Sequence, residues 1–451
     1  MAVKTHTTTV SEADARRSRH VWLVILLCNA LFLVLCVTLA NTTAEYLSSI
    51  TVPQTATFEL KHGSQLAVLR QGSRVPELVT DRTQLREHDV ALTGPDSEGF
   101  IQFFDGTSTI QTYFSTTLTI ETLRTARFFQ TMKEARIRVD SGTVVWATGD
   151  PGGYASVEYN ILSENAEISI PGNSKVRVRV EKDDQNETTT HVIVEYGSAV
   201  LLSRGRRIEV GREHMAWVGP QGISPEPVRA EEELIRNGSF TEPPTSGAET
   251  RENGGLDTAA WLPIREAQTD LPLDIGSVSV ITETLPGVEG IRALRLCLRD
   301  SEDCPAQHAS GDGQSADRYV RVGVRQEINR PVEFFNSIEL SAAVKVVRQS
   351  LPAGGPQGNL FPLTIRVLYS DSERNQHEWR HSFYYFTSER SGSGLPDATR
   401  VPEASWWLPE QKFVLKSADV GRDIAVINAI EIFGYGKQFK SQITRVSMVA
   451  R

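Results

Sequence analysis

Residues 21–40 read VWLVILLCNALFLVLCVTLA, an apolar run that contains no charged side chain. At a rise of about 1.5 Å per residue, this run forms a helix of about 30 Å, the thickness of the hydrocarbon core of a bilayer. Three arginines lie just before it, within residues 16–19, and the first charge after it is Glu45. The positive-inside rule therefore predicts a single-pass membrane protein with a cytoplasmic N-terminus and an extracytoplasmic bulk, periplasmic or on the cell surface.

A cleaved signal peptide is the alternative interpretation of this run. The sequence Thr38-Leu39-Ala40 offers small residues at the positions that a signal peptidase reads. The apolar part of a signal peptide is usually about 7–15 residues long, however, and this run is longer. The sequence thus favours an uncleaved anchor, with a cytoplasmic tail at residues 1–20, a transmembrane helix at 21–41 and a stalk at 42–55.

The length and charge of the chain limit its architecture and its partners. The chain has 451 residues and a formal net charge of −9. Beyond the anchor there is room for two or three domains, each able to bury its own core. The acidic balance argues against nucleic acid or an anionic membrane surface as the main partner.

The four cysteines fall into two pairs. Cys28 and Cys36 lie in the apolar run, whereas Cys297 and Cys304 belong to the sequence CLRDSEDC. In an oxidising compartment we expect a short disulfide between Cys297 and Cys304. No His or Cys pair at zinc-ligand spacing lies nearby, so no metal site is predicted.

Alternating apolar and polar residues dominate the rest of the chain. Residues 135–146, ARIRVDSGTVVW, are typical of this pattern, which predicts an all-β domain over residues 56–219. Asp105-Gly106 indicates a tight turn between two strands. The proline-rich residues 220–230 are interpreted as a linker, and residues 231–451 as a second all-β domain.

The stretch REHDVALTGPDSEGFIQFFDGTSTIQ, residues 86–111, resembles the core pattern of the FecR-type extracytoplasmic domain. The resemblance extends over residues 66–219. The residues that fit the pattern are Asp89, Thr93, Ser97, Phe103, Asp105, Gly106, Thr107 and Ile110. We interpret them as fold determinants, because Asp-Gly suits a tight turn and the Asp89 carboxylate can cap its own turn.

The FecR resemblance implies a function in signalling. Members of this family transmit a signal across the membrane to a cytoplasmic sigma factor, through a cytoplasmic region of several dozen residues. This chain has only about twenty residues before the anchor. The resemblance therefore implies signalling through a membrane partner, with Asn29 either as a polar contact in the bilayer or as a tolerated polar residue.

The second domain is similar to galactose-binding-like jelly rolls, the fold of many carbohydrate-binding modules. The residues that carry this similarity are LIRNGSF at 234–240 and Trp261 after a Gly-rich loop. Sugar binding uses flat aromatic side chains together with polar groups for the hydroxyls. We therefore predict a ligand site of Trp261, Trp406, Trp407 and Tyr435. The further aromatic candidates are Trp379, Tyr384 and Tyr385.

Periodicity adds one detail to this predicted site. Trp406 and Trp407 are adjacent, so in an extended segment their side chains point to opposite faces and at most one of them belongs to the core. The sequence has no GxSxG, P-loop or GxGxxG. Residues 377–381, HEWRH, match the letters HExxH, but that motif holds zinc from one face of a helix. His377 and His381 are four residues apart, but in a segment that reads as strand or loop.

Together these features predict an all-β protein with an N-terminal transmembrane helix, a FecR-like domain and a jelly-roll β-sandwich. The predicted function is non-catalytic recognition or scaffolding, with the jelly roll binding a glycan or a protein of the cell envelope and no cofactor. An envelope sensor acting through a membrane-protein partner is the alternative. A purely structural protein without a ligand is a third possibility.

Overall fold

The computed structural model describes residues 12–128, 132–150, 154, 156–183, 185–241, 260–267, 276–298, 319–355, 360–387, 395 and 397–451. The chain divides into two compact units, Met1–Val228 and Arg229–Arg451. Both units are built from β-strands, which confirms the predicted all-β class. The unit boundary lies within the predicted linker, residues 220–230.

The helix α1 spans Glu12–Ser49. Within it, Trp22–Thr43 has a mean hydropathy of 2.8 and no buried part, so it is long and apolar enough to cross a membrane. Asn29 Nδ2 donates to the carbonyl of Ile25 in the same helix at 3.1 Å, which satisfies its amide locally.

The stalk predicted at residues 42–55 does not form as an extended linker. Residues 42–49 continue α1, and after the single residue Ile50 the strand β1 (Thr51–Pro53) begins. Thr51 pairs with Ala126 of a neighbouring strand, and the Arg127 N–H donates to the Ile50 carbonyl at 2.9 Å. The helix therefore runs almost directly into the first sheet.

The further strands of the first unit are short and numerous. They are β2 (Ala56–His62), β3 (Leu66–Leu69), β4 (Glu77–Val79), β5 (Arg82–Leu85), β6 (Val90–Thr93), β7 (Glu98–Phe103), β8 (Ser108–Thr112), β9 (Thr117–Ala126), β10 (Met132–Thr148), β11 (Ser156–Leu162), β12 (Glu167–Ile170), β13 (Ser174–Lys182), β14 (Thr188–Tyr196), β15 (Ser198–Ser203), β16 (Arg206–Gly211), β17 (His214–Gly219), β18 (Gly222–Ile223) and β19 (Val228–Arg229).

Two sheets of the first unit share the long strand β10. Its first half pairs with β9 and β11, and its second half pairs with β8 and β13. Between the halves, Gly142 has φ +94°, and a Cβ there would lie 2.4 Å from Thr116 Oγ1. Glycine is therefore required where β10 passes from one sheet to the other. Side chains such as Ile137 and Trp146 of β10 contribute to the core of this unit.

The turn signals of the first unit are confirmed. A 3₁₀ turn, Phe104–Gly106, joins β7 to β8, and Gly106 has φ +85°. The buried Asp89 carboxylate accepts the Arg86 N–H of its own turn at 2.9 Å, as expected for a capping residue.

The second unit contains twelve strands among its described residues. They are β20 (Glu232–Glu233), β21 (Leu262–Ala267), β22 (Gly276–Leu285), β23 (Val288–Leu298), β24 (Val320–Pro331), β25 (Ile338–Gln349), β26 (Phe361–Ser370), β27 (Gln376–Tyr384), β28 (Ala398–Arg400), β29 (Phe413–Lys416), β30 (Val426–Gly436) and β31 (Phe439–Ala450).

These strands form two sheets of a β-sandwich. Sheet I has the order β22-β23-β31-β25-β29, with β20 also paired to β31, and sheet II has the order β21-β24-β30-β26-β27-β28. The first strand of this unit lies beside the last one, with Glu232 opposite Ala450. Cys297 is buried in β23, while Cys304 lies outside the described residues, so their pairing stays a prediction.

Candidate ligand-binding surface of the second unit

The two adjacent tryptophans are held by the edge of sheet I. β29 pairs with residues 338–340 of β25, and the segment 403–407 continues along the same edge. Val344 and Trp407 exchange two backbone hydrogen bonds of 3.0 and 2.8 Å, and the Ala404 N–H donates to the Val346 carbonyl at 2.9 Å. Trp407 is therefore fixed in antiparallel pairing with Val344, while the preceding residues 404 and 405 form a turn with Ala404 at φ +50°.

The two indole rings lie on different sides of the sheet edge, as alternation predicts. Trp407 lies opposite the buried Val344, and its ring contacts Phe383 of sheet II with centroids 5.7 Å apart. The ring of Trp406 instead lies near Lys345, whose Nζ is 5.7 Å from the ring centroid. Trp407 thus faces the sandwich interior, whereas Trp406 lies on the outer face of sheet I.

Polar side chains surround Trp406 on this outer face. Lys345, Gln442 and Arg295 lie opposite one another on β25, β31 and β23, so their side chains form one row across the sheet. Glu283 of β22 accepts from Lys345 Nζ at 3.2 Å and from Gln442 Nε2 at 2.9 Å. We call Trp406, Lys345, Gln442, Arg295 and Glu283 the Trp406 surface.

Two polar atoms of the Trp406 surface have no hydrogen-bond partner in the part of the chain that the structure describes. They are the donor Nε1 of Trp406 and the acceptor Oε1 of Gln442, and neither is in contact with solvent. Gln442 as a whole is only 3% exposed. Leaving such atoms unpaired costs about 1–3 kcal/mol each, so a shift of neighbouring side chains that lets a partner reach them is favoured.

The interior side of this edge is an aromatic cluster. Trp379, His381 and Phe383 of β27 pack against Phe413 and Trp407, and the His381 and Phe413 rings are 4.4 Å apart. Burial lowers the pKa of His381, whose Nε2 is 2.8 Å from Thr399 Oγ1. Trp379 and Trp407 therefore serve packing in this structure.

Trp261 lies in the interior of the second unit. It is 1% exposed, its Nε1 donates to the Asn237 carbonyl at 3.2 Å, and its ring packs on Phe240 with centroids 5.6 Å apart. It fastens the LIRNGSF segment and is not part of the Trp406 surface. Tyr384 is likewise buried against Phe361.

Tyr435 lies on the outer face of sheet II, away from the Trp406 surface. Its ring packs on Tyr319 with centroids 6.1 Å apart. On the same face of β30, the Glu431 carboxylate accepts from Arg325 at 2.9 Å and from Arg366 Nε at 2.8 Å. The structure therefore separates the four predicted site residues into three places.

A second network on sheet II surrounds Glu431. The side chain of Glu431 is 4% exposed, and Phe433, two residues further along β30, lies under two guanidinium groups. Arg321 and Arg366 have their Cζ atoms 4.4 and 5.6 Å from the Phe433 ring centroid. We call Glu431, Phe433, Arg321, Arg325 and Arg366 the Glu431 network.

Sequence reasoning missed Lys345, Gln442 and Glu283. Lys345 carried a signal, because it is the single charge within the apolar run AAVKVV of residues 342–347. Glu283 and Gln442 are 159 residues apart in sequence, and no local sequence pattern indicated that they would meet. Among the residues that the structure describes, no group of three or more His, Cys, Asp or Glu side chains is placed to hold a metal ion.

Comparison with known proteins gives only distant structural similarities. No family model matches the chain, and no curated protein matches it. A predicted anti-sigma factor from Parabacteroides distasonis ATCC 8503 is similar over 31% of this chain, with 11% identity and a TM-score of 0.24. The chain spans 58% of the length of that protein.

Two carbohydrate-binding modules are also similar. The family 11 module from Clostridium thermocellum, in complex with a β-1,3-1,4-mixed-linked tetrasaccharide, matches 48% of this chain and 94% of its own, with 8% identity and a TM-score of 0.24. A module of the β-sandwich superfamily matches 68% of this chain and 92% of its own, with 9% identity and a TM-score of 0.22. Similarities of this size do not establish a shared function.

Proposed function

We propose that this chain is a membrane-anchored, non-catalytic recognition protein whose second unit binds a cell-envelope glycan through the Trp406 surface. One observation carries the proposal. A partly exposed indole ring lies on the outer face of a sheet beside a row of hydrogen-bonding side chains, and two polar atoms there lack partners.

The chemistry of the Trp406 surface suits a sugar. The apolar face of a pyranose can stack on the Trp406 ring, while its hydroxyls exchange hydrogen bonds with neighbouring polar groups. The Lys345–Glu283 pair offers donors and an acceptor, whereas Trp406 Nε1 and Gln442 Oε1 become available only when neighbouring side chains shift. Because cations and an anion alternate on this surface, a neutral or weakly charged glycan fits it best.

Helix α1 supports the proposed anchoring. Its apolar segment Trp22–Thr43 can cross a bilayer, and the arginines within residues 16–19 favour a cytoplasmic N-terminus. The two β units then lie outside the cytoplasm, where an envelope glycan is accessible.

A binding panel tests the proposal. The full-length chain in detergent is titrated against purified cell-wall and capsular polysaccharides, with Trp406→Ala beside it. Tyr196→Ala is the matched control, because Tyr196 is an exposed aromatic residue of the first unit. We expect saturable binding that Trp406→Ala weakens at least about tenfold and Tyr196→Ala leaves intact. A panel without binding would contradict a glycan ligand and favour a protein ligand.

A sensor function is the second candidate, and the α1–β1 junction favours it. Only Ile50 separates the helix from a strand that is paired within the first sheet. A movement of that sheet would therefore reach the membrane helix without a flexible spacer. Inserting a Gly-Ser linker after Ile50 should abolish a ligand-dependent transcript response but preserve glycan binding. An unchanged response would contradict a signal that passes through this junction.

A further inference from the structure

A polar pocket in the first unit is independent of the Trp406 surface. Its volume is about 510 Å³, which is within the range of small-molecule sites. Its walls come from Arg70 and Gln71 after β3, from Thr83 and Gln84 of β5, and from the turn of residues 86–89 before β6.

Asp89 and Arg70 form the fixed frame of this pocket. The Asp89 carboxylate is buried and accepts from Arg70 Nη1 at 2.8 Å, from the Arg86 N–H at 2.9 Å and from the Gln71 N–H at 3.2 Å. Arg70 also donates to the Gln84 carbonyl at 2.6 Å and to Thr83 Oγ1 at 2.9 Å. These bonds tie all the walls together, so the pocket is preorganised.

The acidic side chains of the pocket are already neutralised. Asp89 is paired with Arg70, and Glu87 accepts from Arg124 Nε at 2.8 Å and from the Leu123 N–H at 3.0 Å. The hydrogen bond from Arg124 holds the pKa of Glu87 below its ordinary value. Glu87 therefore remains ionised at neutral pH, and both carboxylates have a cationic partner.

Three side chains of the pocket retain free bonding groups. The Arg86 guanidinium and the amides of Gln71 and Gln84 are exposed, and none makes a side-chain hydrogen bond or ion pair with the described residues. The guanidinium can grip a carboxylate with two parallel hydrogen bonds, and each amide offers donors and an acceptor for hydroxyls. No aromatic or aliphatic side chain is among the residues that line the pocket.

We propose that this pocket binds a sugar acid, with Arg86 receiving the carboxylate and Gln71 and Gln84 the hydroxyls. A singly charged carboxylate fits better than a phosphate dianion, because Arg86 is the one cation among the lining residues that is not already paired with a carboxylate. The available space suits a mono- or disaccharide. The ligand class and the site both differ from those of the Trp406 surface.

Calorimetric titration of the full-length chain in detergent tests this site. The probes are glucuronate, galacturonate, neutral glucose, acetate and inorganic phosphate. We expect one uronate per chain, with glucose and acetate at least tenfold weaker. Arg86→Gln should weaken uronate binding at least tenfold, whereas Arg74→Gln, which changes an exposed arginine outside the pocket lining, should not.

Three results would overturn the proposal. The first is no uronate binding at millimolar concentration, and the second is uronate affinity that Arg86→Gln leaves unchanged. The third is loss of uronate binding in Trp406→Ala, which would place the ligand in the second unit. A melting temperature of Arg86→Gln equal to that of the unmodified chain shows that lost binding is not lost folding.

Discussion

The two outer faces of the C-terminal β-sandwich carry similar residue types, but they differ in how many of their polar groups have hydrogen-bond partners. On sheet II, Glu431 is held by Arg325 and Arg366, and Phe433 lies under two guanidinium groups. On sheet I, the Trp406 ring has one cation near it, and both its N–H and the Gln442 carbonyl oxygen lack partners. The polar groups of the Glu431 network are paired with one another, which stabilises the fold, whereas the unpaired atoms beside Trp406 are the reason we propose ligand binding there.

The adjacent tryptophans offer the strongest test of this comparison. Trp407→Ala removes an indole that packs on Phe383 between the sheets, so we expect it to lower the free energy of unfolding by about 3 kcal/mol. Trp406→Ala, its control, should cost less than about 1 kcal/mol because its ring lies on the outer face. Chemical denaturation measures both. Equal losses would show that Trp406 is a packing residue.

Disrupting the Glu431 network should have the next largest effect. Glu431→Ala leaves Arg325 and Arg366 without their shared carboxylate, and we expect a loss of about 2 kcal/mol because both guanidiniums remain partly solvated. Glu378→Ala is the control, since this exposed carboxylate contacts Arg366 at 3.4 Å and should contribute less than about 1 kcal/mol. Glycan affinity should stay unchanged in both, and a loss in Glu431→Ala would assign binding to sheet II.

Lys345→Met changes the Trp406 surface with a smaller effect. The methionine preserves most of the apolar stem beside Trp406 but removes the ammonium group that binds Glu283 at 3.2 Å. We expect glycan affinity to fall about fivefold, or about 1 kcal/mol, with a change in stability below about 0.5 kcal/mol. Titration and thermal unfolding of the same sample separate the two quantities. Unchanged affinity would exclude Lys345 from the binding surface.

The smallest effect concerns pH and the interior cluster behind Trp406. Burial lowers the pKa of His381 in the folded state, so the unfolded chain binds a proton more readily. The stabilising contribution of neutral His381 is therefore complete above about pH 6.5 and decreases as the pH falls below that value. His381→Phe should reduce the slope of melting temperature between about pH 5 and pH 7. An identical slope in the variant would contradict this assignment.

Much of the fold could be predicted because its signals are local. Period-2 alternation identified the strands, and Asp105-Gly106 marked the turn between β7 and β8. The sequence did not indicate that residues 42–49 of the predicted stalk continue the helix. Once a long apolar helix exists, adding residues to its end requires no new nucleation, and Thr42 and Thr43 donate to preceding carbonyls of the helix.

The candidate surface was less predictable because it depends on sheet order. Alternation correctly separated Trp406 from Trp407, since that requires only an extended backbone. The partners of Trp406 come from β22, β25 and β31, and no local pattern indicates which strands become neighbours. The burial of Trp261 could not be predicted from local sequence either. A tryptophan before a strand reads alike whether it packs on Phe240 or faces solvent.

The short junction between α1 and β1 also affects how the protein would leave a membrane. Six helical residues follow Thr43, about 9 Å, and Ile50 adds about 3.5 Å before the first paired strand. Proteases that release ectodomains need an exposed, unpaired segment to thread through their active sites, and no such segment separates the anchor from the first sheet. In the proposed orientation, we expect this junction to offer such proteases no cleavage site.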